Sequence, residues 1–147
     1  SLLVSERLTF DYRGDFEGSY RDIVLRHGER ITDIRVSEGG RAYEPGGNTA
    51  LGSSDRPGVF GAQSIPGGAR IVWHYRASSE SRTFVVRYRI RGLAVAYDDV
   101  VDVNLKVWGD EWEVGLRQLT ASMEGPRPVE RRYSRASCCR RRRSTTC

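Results

Sequence analysis

The stretch Arg82-Thr83-Phe84-Val85-Val86-Arg87-Tyr88-Arg89-Ile90-Arg91 decides the fold. Phe84, Val86, Tyr88 and Ile90 occupy alternate positions, and Val85, Arg87, Arg89 and Arg91 stand between them. A period of two over this length is a β-strand with one apolar face on a core and one basic face outside. Just upstream, residues 69–77 (ARIVWHYRA) repeat the pattern. There Ile71, Trp73 and Tyr75 are expected inward, and Val72, His74 and Arg76 outward. A short polar turn over 78–81 separates the two runs, which together read as a β-hairpin.

Residues 2–12 (LLVSERLTFDY) alternate in the same way. Leu2, Val4, Glu6, Leu8, Phe10 and Tyr12 share one face; Leu3, Ser5, Arg7, Thr9 and Asp11 share the other. Residues 30–37 (RITDIRVS) make a short strand with Ile34 and Val36 on one side. Weaker strand candidates follow at 93–97, 98–106 and 113–123. Residues 13–29, with Gly14, Gly18 and Gly28, read as a long loop with a short helical turn near 20–25. Residues 39–68 are dense in glycine and carry three prolines, so they read as an insertion-like loop anchored by Val59-Phe60. No segment sustains a helical period. The fold class expected is all-β: an antiparallel β-sandwich over residues 1–126, followed by a disordered basic tail over 127–147.

Charge divides at the same place. The 147 residues carry 24 Lys+Arg against 19 Asp+Glu, a net charge of +5. Residues 127–147 hold eight arginines and one acid, net +7, so residues 1–126 are net −2. All three cysteines (Cys138, Cys139, Cys147) lie in the tail, which excludes a disulfide scaffold or a thiolate metal site in the body. No run approaches the roughly 18 apolar residues of a membrane helix. Neither a secretory signal nor an initiator Met opens the chain, which reads as an internal fragment.

Chemistry-bearing motifs are scarce. His27 and His74 are the only histidines, and neither has metal-ligand spacing to a partner. Nucleophile-elbow, phosphate-loop and zinc-protease signatures are absent. No cofactor is expected. Asp98, Asp99 and Asp102 form a weak candidate for a hard cation, without the alternating acids and closing Glu of a calcium loop. Arg87, Arg89 and Arg91, with Arg76 placed on a neighbouring strand, are candidate polyanion contacts. The plainer alternative is a solvated face laced with cross-strand ion pairs. Glu6 interrupts an apolar face, and a buried carboxylate needs a cation. Arg21 is the candidate: a structural Glu6–Arg21 pair would fasten the 13–29 segment over the sheet.

An ordered series of motifs runs through the chain: Glu6-Arg7-Leu8-Thr9-Phe10-Asp11-Tyr12; Gly14-x-Phe16-x-Gly18-x-Tyr20-Arg21-Asp22-Ile23; Ile31-x-Asp33-Ile34-x-Val36. Further on come Ile71-Val72-Trp73-x-Tyr75, Arg82-Thr83-Phe84-x-Val86-x-Tyr88, Tyr97-x-Asp99-Val100 and Trp108-Gly109-x-x-Trp112. Over residues 2–123 this series resembles the DUF2207 type, a domain of unknown function from bacterial and archaeal membrane proteins. The resemblance implies a β-rich domain on the extracytoplasmic side, with a signal peptide before it and transmembrane segments after it that this chain does not contain. It carries over no catalytic residues. The expected function is therefore non-catalytic contact with a protein or a cell-envelope component. The alternatives are a soluble nucleic-acid binder acting through its basic tail and, third, an envelope hydrolase using Asp98–Asp102. The tail fits three readings: a polyanion-binding arm, an acylated juxtamembrane segment, or out-of-frame translation of GC-rich DNA.

Overall fold

The computed structural model describes residues 1–92 and the backbone of three later strands, 94–96, 101–103 and 116–122. The strands are β1 (Leu2–Asp11), β2 (Asp15–Val24), β3 (Arg30–Glu38), β4 (Arg41–Ala42), β5 (Glu44–Pro45), β6 (Val59–Ile65), β7 (Gly68–Ser78), β8 (Ser81–Arg91), β9 (Ala94–Ala96), β10 (Val101–Val103) and β11 (Leu116–Ser122). One sheet has the order β11-β1-β8-β3-β4; a second has the order β2-β7-β6-β5. β9 and β10 pair with each other. Every pairing is antiparallel except β5 with β6. Among the described residues there is no helix, and the chain is an all-β sandwich.

The core lies between the two main sheets. Val4, Leu8 and Phe10 of β1, Phe84, Val86, Tyr88 and Ile90 of β8, and Val36 of β3 face Ile71, Trp73 and Tyr75 of β7. Phe84 sits at the centre, its ring 4.8 Å from Tyr75 and 5.7 Å from Trp73. Aromatic pairs at this spacing contribute beyond the area they bury.

The two strongest runs do not form a hairpin. β7 belongs to the four-stranded sheet and β8 to the five-stranded one. Residues 79–80 carry the chain across the sandwich, with Ser79 at a positive φ of 44°. The β1–β2 connection crosses beside it. The Tyr12 amide donates to the Glu80 carbonyl at 2.9 Å, the Gly14 amide to Ser79 Oγ at 2.9 Å, and the Ser79 amide to the Gly14 carbonyl at 3.0 Å. Two sheet-to-sheet corners therefore hydrogen-bond each other, where a hairpin would have satisfied only itself.

Two loop expectations are also corrected. Residues 13–29 are mostly strand β2, with no helical turn near 20–25. A bulge between Phe16 and Gly18 shifts the register by one, so the inward set is Phe16, Ser19, Arg21 and Ile23. The parity change and two polar inward residues hide the period of two. Residues 39–68 are not a free insertion: they supply β4, β5 and β6, and Val59 and Phe60 are both buried. The part around Gly47–Thr49 folds back over the outer side of β6. A Cβ on Gly61 would lie 2.1 Å from the Gly47 carbonyl oxygen, so only glycine permits this approach.

That fold-back corrects His74 too. It does point away from the inter-sheet core, but it is only 1% exposed, because the strap covers it. Its Nε2 bonds the Asn48 carbonyl oxygen at 2.8 Å.

Candidate functional site

Three groups of polar side chains stand out, two between the sheets and one outside. In the first, Glu6 points inward from β1 and is 1% exposed; Arg21 reaches it from β2 and is 4% exposed. Arg21 Nε donates to Glu6 Oε2 at 3.0 Å and Nη2 donates to Oε1 at 3.3 Å. The Tyr88 hydroxyl donates to Oε1 at 2.7 Å, and Arg21 Nη1 donates to the Asp22 carbonyl at 2.9 Å. Burial pushes the Tyr88 hydroxyl far up, and the adjacent Glu6 charge adds to this, so the phenol stays a donor. Arg21 belongs to a strand of the second sheet, not to a loop. The pair therefore ties sheet to sheet. Tyr88 was not singled out in the sequence, although its alternation places it inward and two strands of known register would have brought it to Glu6.

The second group closes one end of the core. Arg82 Nη2 donates to Glu38 Oε2 at 2.7 Å, Arg82 Nε bonds Oε1 of the same carboxylate, and the Tyr43 hydroxyl donates to Glu38 Oε2 at 2.9 Å. Burial raises the Glu38 carboxyl, but the Arg82 and Tyr43 bonds outweigh it and the net direction is down. The Arg82 guanidinium lies 5.5 Å from the Tyr75 ring centroid. Beside it, Ser19 Oγ and the Tyr75 hydroxyl are 2.6 Å apart, and the Tyr75 and Tyr12 hydroxyls bond each other. Burial raises Tyr12, Tyr43 and Tyr75, each held as a neutral phenol.

The third group is the outer face of the five-stranded sheet. Arg87, Arg89 and Arg91 project from β8 as the alternation predicts. Arg76 does not join them. It is exposed on β7, in the other sheet. In its place the strand order brings Arg7 of β1 and Arg30 and Arg35 of β3 to this face. Arg35 stands directly opposite Arg87, and Arg30 opposite Arg91. A one-residue bulge at Asp33–Ile34 sets this register, with Asp33 at φ 55°. Asp33 Oδ2 accepts from Arg89 Nε at 3.1 Å. Among the described residues no acid lies within ion-pair distance of Arg7, Arg30, Arg35, Arg87 or Arg91. The cross-strand ion pairs expected of a plain solvated face are thus mostly like-charge juxtapositions.

His27 is exposed in the turn before β3. Among the described residues no group of three or more His, Cys, Asp or Glu could hold a metal ion. Asp98 and Asp99, the side chain of Asp102, and the tail 127–147 lie outside the described residues.

A model of the family described as "Predicted membrane protein (DUF2207) N-terminal domain" matches residues 1–144. The chain belongs to the DUF2207 family. The matched span continues past the last quoted motif and takes in most of the arginine-rich end. No curated protein and no solved structure matches. Within this DUF2207 chain, Glu6, Arg21 and Tyr88, drawn from three separate motifs of the series, are the residues that meet between the sheets. Among the described residues no helix is long and apolar enough to cross a membrane, a statement that leaves β-barrels aside.

Proposed function

We propose that this DUF2207 domain is a non-catalytic, extracytoplasmic module of a membrane-anchored protein, working through contacts of its surface. Membership in a family of predicted membrane proteins carries the membrane part of this reading. The use made of the interior polar groups supports the non-catalytic part. A general acid or base needs a pKa near the working pH and access to substrate. Glu6 and Arg21 are sealed from solvent; they bond each other, Glu6 also accepts from Tyr88, and Arg21 also donates to the Asp22 carbonyl. The four shifted tyrosines move away from neutrality, not toward it. These groups hold two sheets together, which leaves the outer faces as the working surface.

Fractionation of the native cells, followed by external protease on spheroplasts, tests the topology. The expected result is recovery with the membranes and cleavage from outside. Recovery in the soluble fraction, or protection from the protease, contradicts the proposal.

A further inference from the structure

We propose that the outer face of the five-stranded sheet, with Arg7, Arg30, Arg35, Arg87, Arg89 and Arg91, docks on the anionic headgroups of a lipid bilayer. Three adjacent strands, β1, β8 and β3, present these six guanidinium groups as a two-dimensional array. Like charges directly opposite across a sheet are destabilising, and this face has two such pairs, Arg35 with Arg87 and Arg30 with Arg91. A sequence selected for solubility alone gains nothing from that register. An external anion shared between opposed guanidiniums relieves it.

The acids described on this face are Asp33, taken by Arg89, and Asp11 at the far end of β1. Hydroxyl side chains fill the spaces: Ser5 stands opposite Arg87 and Thr32 opposite Arg89. Ser5 Oγ accepts from Arg87 Nε at 3.4 Å, which leaves its own proton for a phosphate oxygen, while Thr32 Oγ1 donates to Asp33 Oδ2 at 3.4 Å. The alternation puts no described aromatic residue here; Phe84, Tyr88 and Phe10 all face the core. Nucleic-acid platforms combine positive charge with exposed aromatic rings on which bases stack. A charged, hydroxyl-bearing face without rings suits headgroups instead. The proposal rests on the membrane-anchored reading for the nearness of a bilayer.

The test uses the full chain and vesicles of phosphatidylglycerol with phosphatidylcholine, against phosphatidylcholine alone. Arg30→Glu with Arg35→Glu places an acid opposite Arg91 and Arg87, so its thermal midpoint should equal or exceed that of the wild type. Arg13→Glu with Arg76→Glu makes the same net-charge change away from this face. The arginine-rich tail is common to all three proteins. Wild type and R13E/R76E should bind anionic vesicles in a salt-sensitive way, and R30E/R35E should bind at least about tenfold more weakly. Equal binding by R30E/R35E and wild type overturns the proposal, as does equal loss in R13E/R76E. Tighter binding to a DNA duplex than to vesicles, lost in R30E/R35E, overturns the choice of lipid. Vesicle docking does not depend on which side of the membrane the domain occupies, so the protease result can fail while this one stands.

Discussion

Glu6 shows how one side chain constrains two sheets. Moving a carboxylate and a guanidinium out of water costs several kcal/mol each, and their attraction offsets this only when the hydrogen bonds are complete. Glu6→Ala leaves Arg21 charged and buried, so it should lower unfolding stability by about 3–5 kcal/mol. Tyr88→Phe should cost about 1.5–3 kcal/mol through one lost bond to a charged acceptor. Glu6→Leu combined with Arg21→Met should recover most of the loss in denaturant titrations; a double variant as unstable as the summed singles contradicts the account. The tyrosines add a pH dependence. Tyr12, Tyr43, Tyr75 and Tyr88 all hold their protons more tightly when folded than the ordinary value of 10.0 implies. Their contribution is complete below that value and drains as pH rises above it, because the unfolded chain ionises first. The denaturant midpoint should fall between neutral pH and about pH 11. A midpoint unchanged over that range contradicts the burial assigned to them.

At the scale of the elements, alternation told which side of a strand faces the core but not which strand lies beside it. Phe84, Val86, Tyr88 and Ile90 read inward from sequence and are buried. The same logic suggested Glu6 as a buried acid and Arg21 as its cation, since an isolated charge in an apolar row demands a partner. The crossing from β7 to β8 is not legible, because a four-residue polar turn looks alike whether the chain doubles back within a sheet or crosses between two. β2 was hidden by its bulge and by Ser19 and Arg21 at inward positions. His74 faces outward as its alternation implies, but its burial is not legible because the strap that covers it is held by glycine, whose packing role leaves no hydrophobic signal. Arg7, Arg30 and Arg35 were visible as residues, but only strand order gathers them beside β8. The strap makes its own prediction. Gly61→Ala drives a Cβ into the Gly47 carbonyl and the Thr49 side chain. It should cost at least about 1–3 kcal/mol as an overpacked contact, whereas Ser64→Ala, exposed on the same strand, should change the denaturant midpoint little. Equal effects would show that the strap does not sit on β6.

At the scale of the whole molecule, the proposed docking face lies apart from the polar groups buried between the sheets. The Glu6–Arg21 pair and the Tyr12–Tyr75 hydroxyls bond across the sandwich, while the outer face of the five-stranded sheet keeps opposed arginines that, among the described residues, have no acid within ion-pair distance. Replacing Cys138, Cys139 and Cys147 with serine leaves room for a single new thiol to carry an environment-sensitive fluorophore. Leu3→Cys places it on the arginine face, where Leu3 is 56% exposed opposite Arg89. Gln63→Cys places it on the outer face of the other sheet. With phosphatidylglycerol vesicles the account predicts a blue shift from position 3 and none from position 63. A shift from position 63 alone, or from neither, contradicts it.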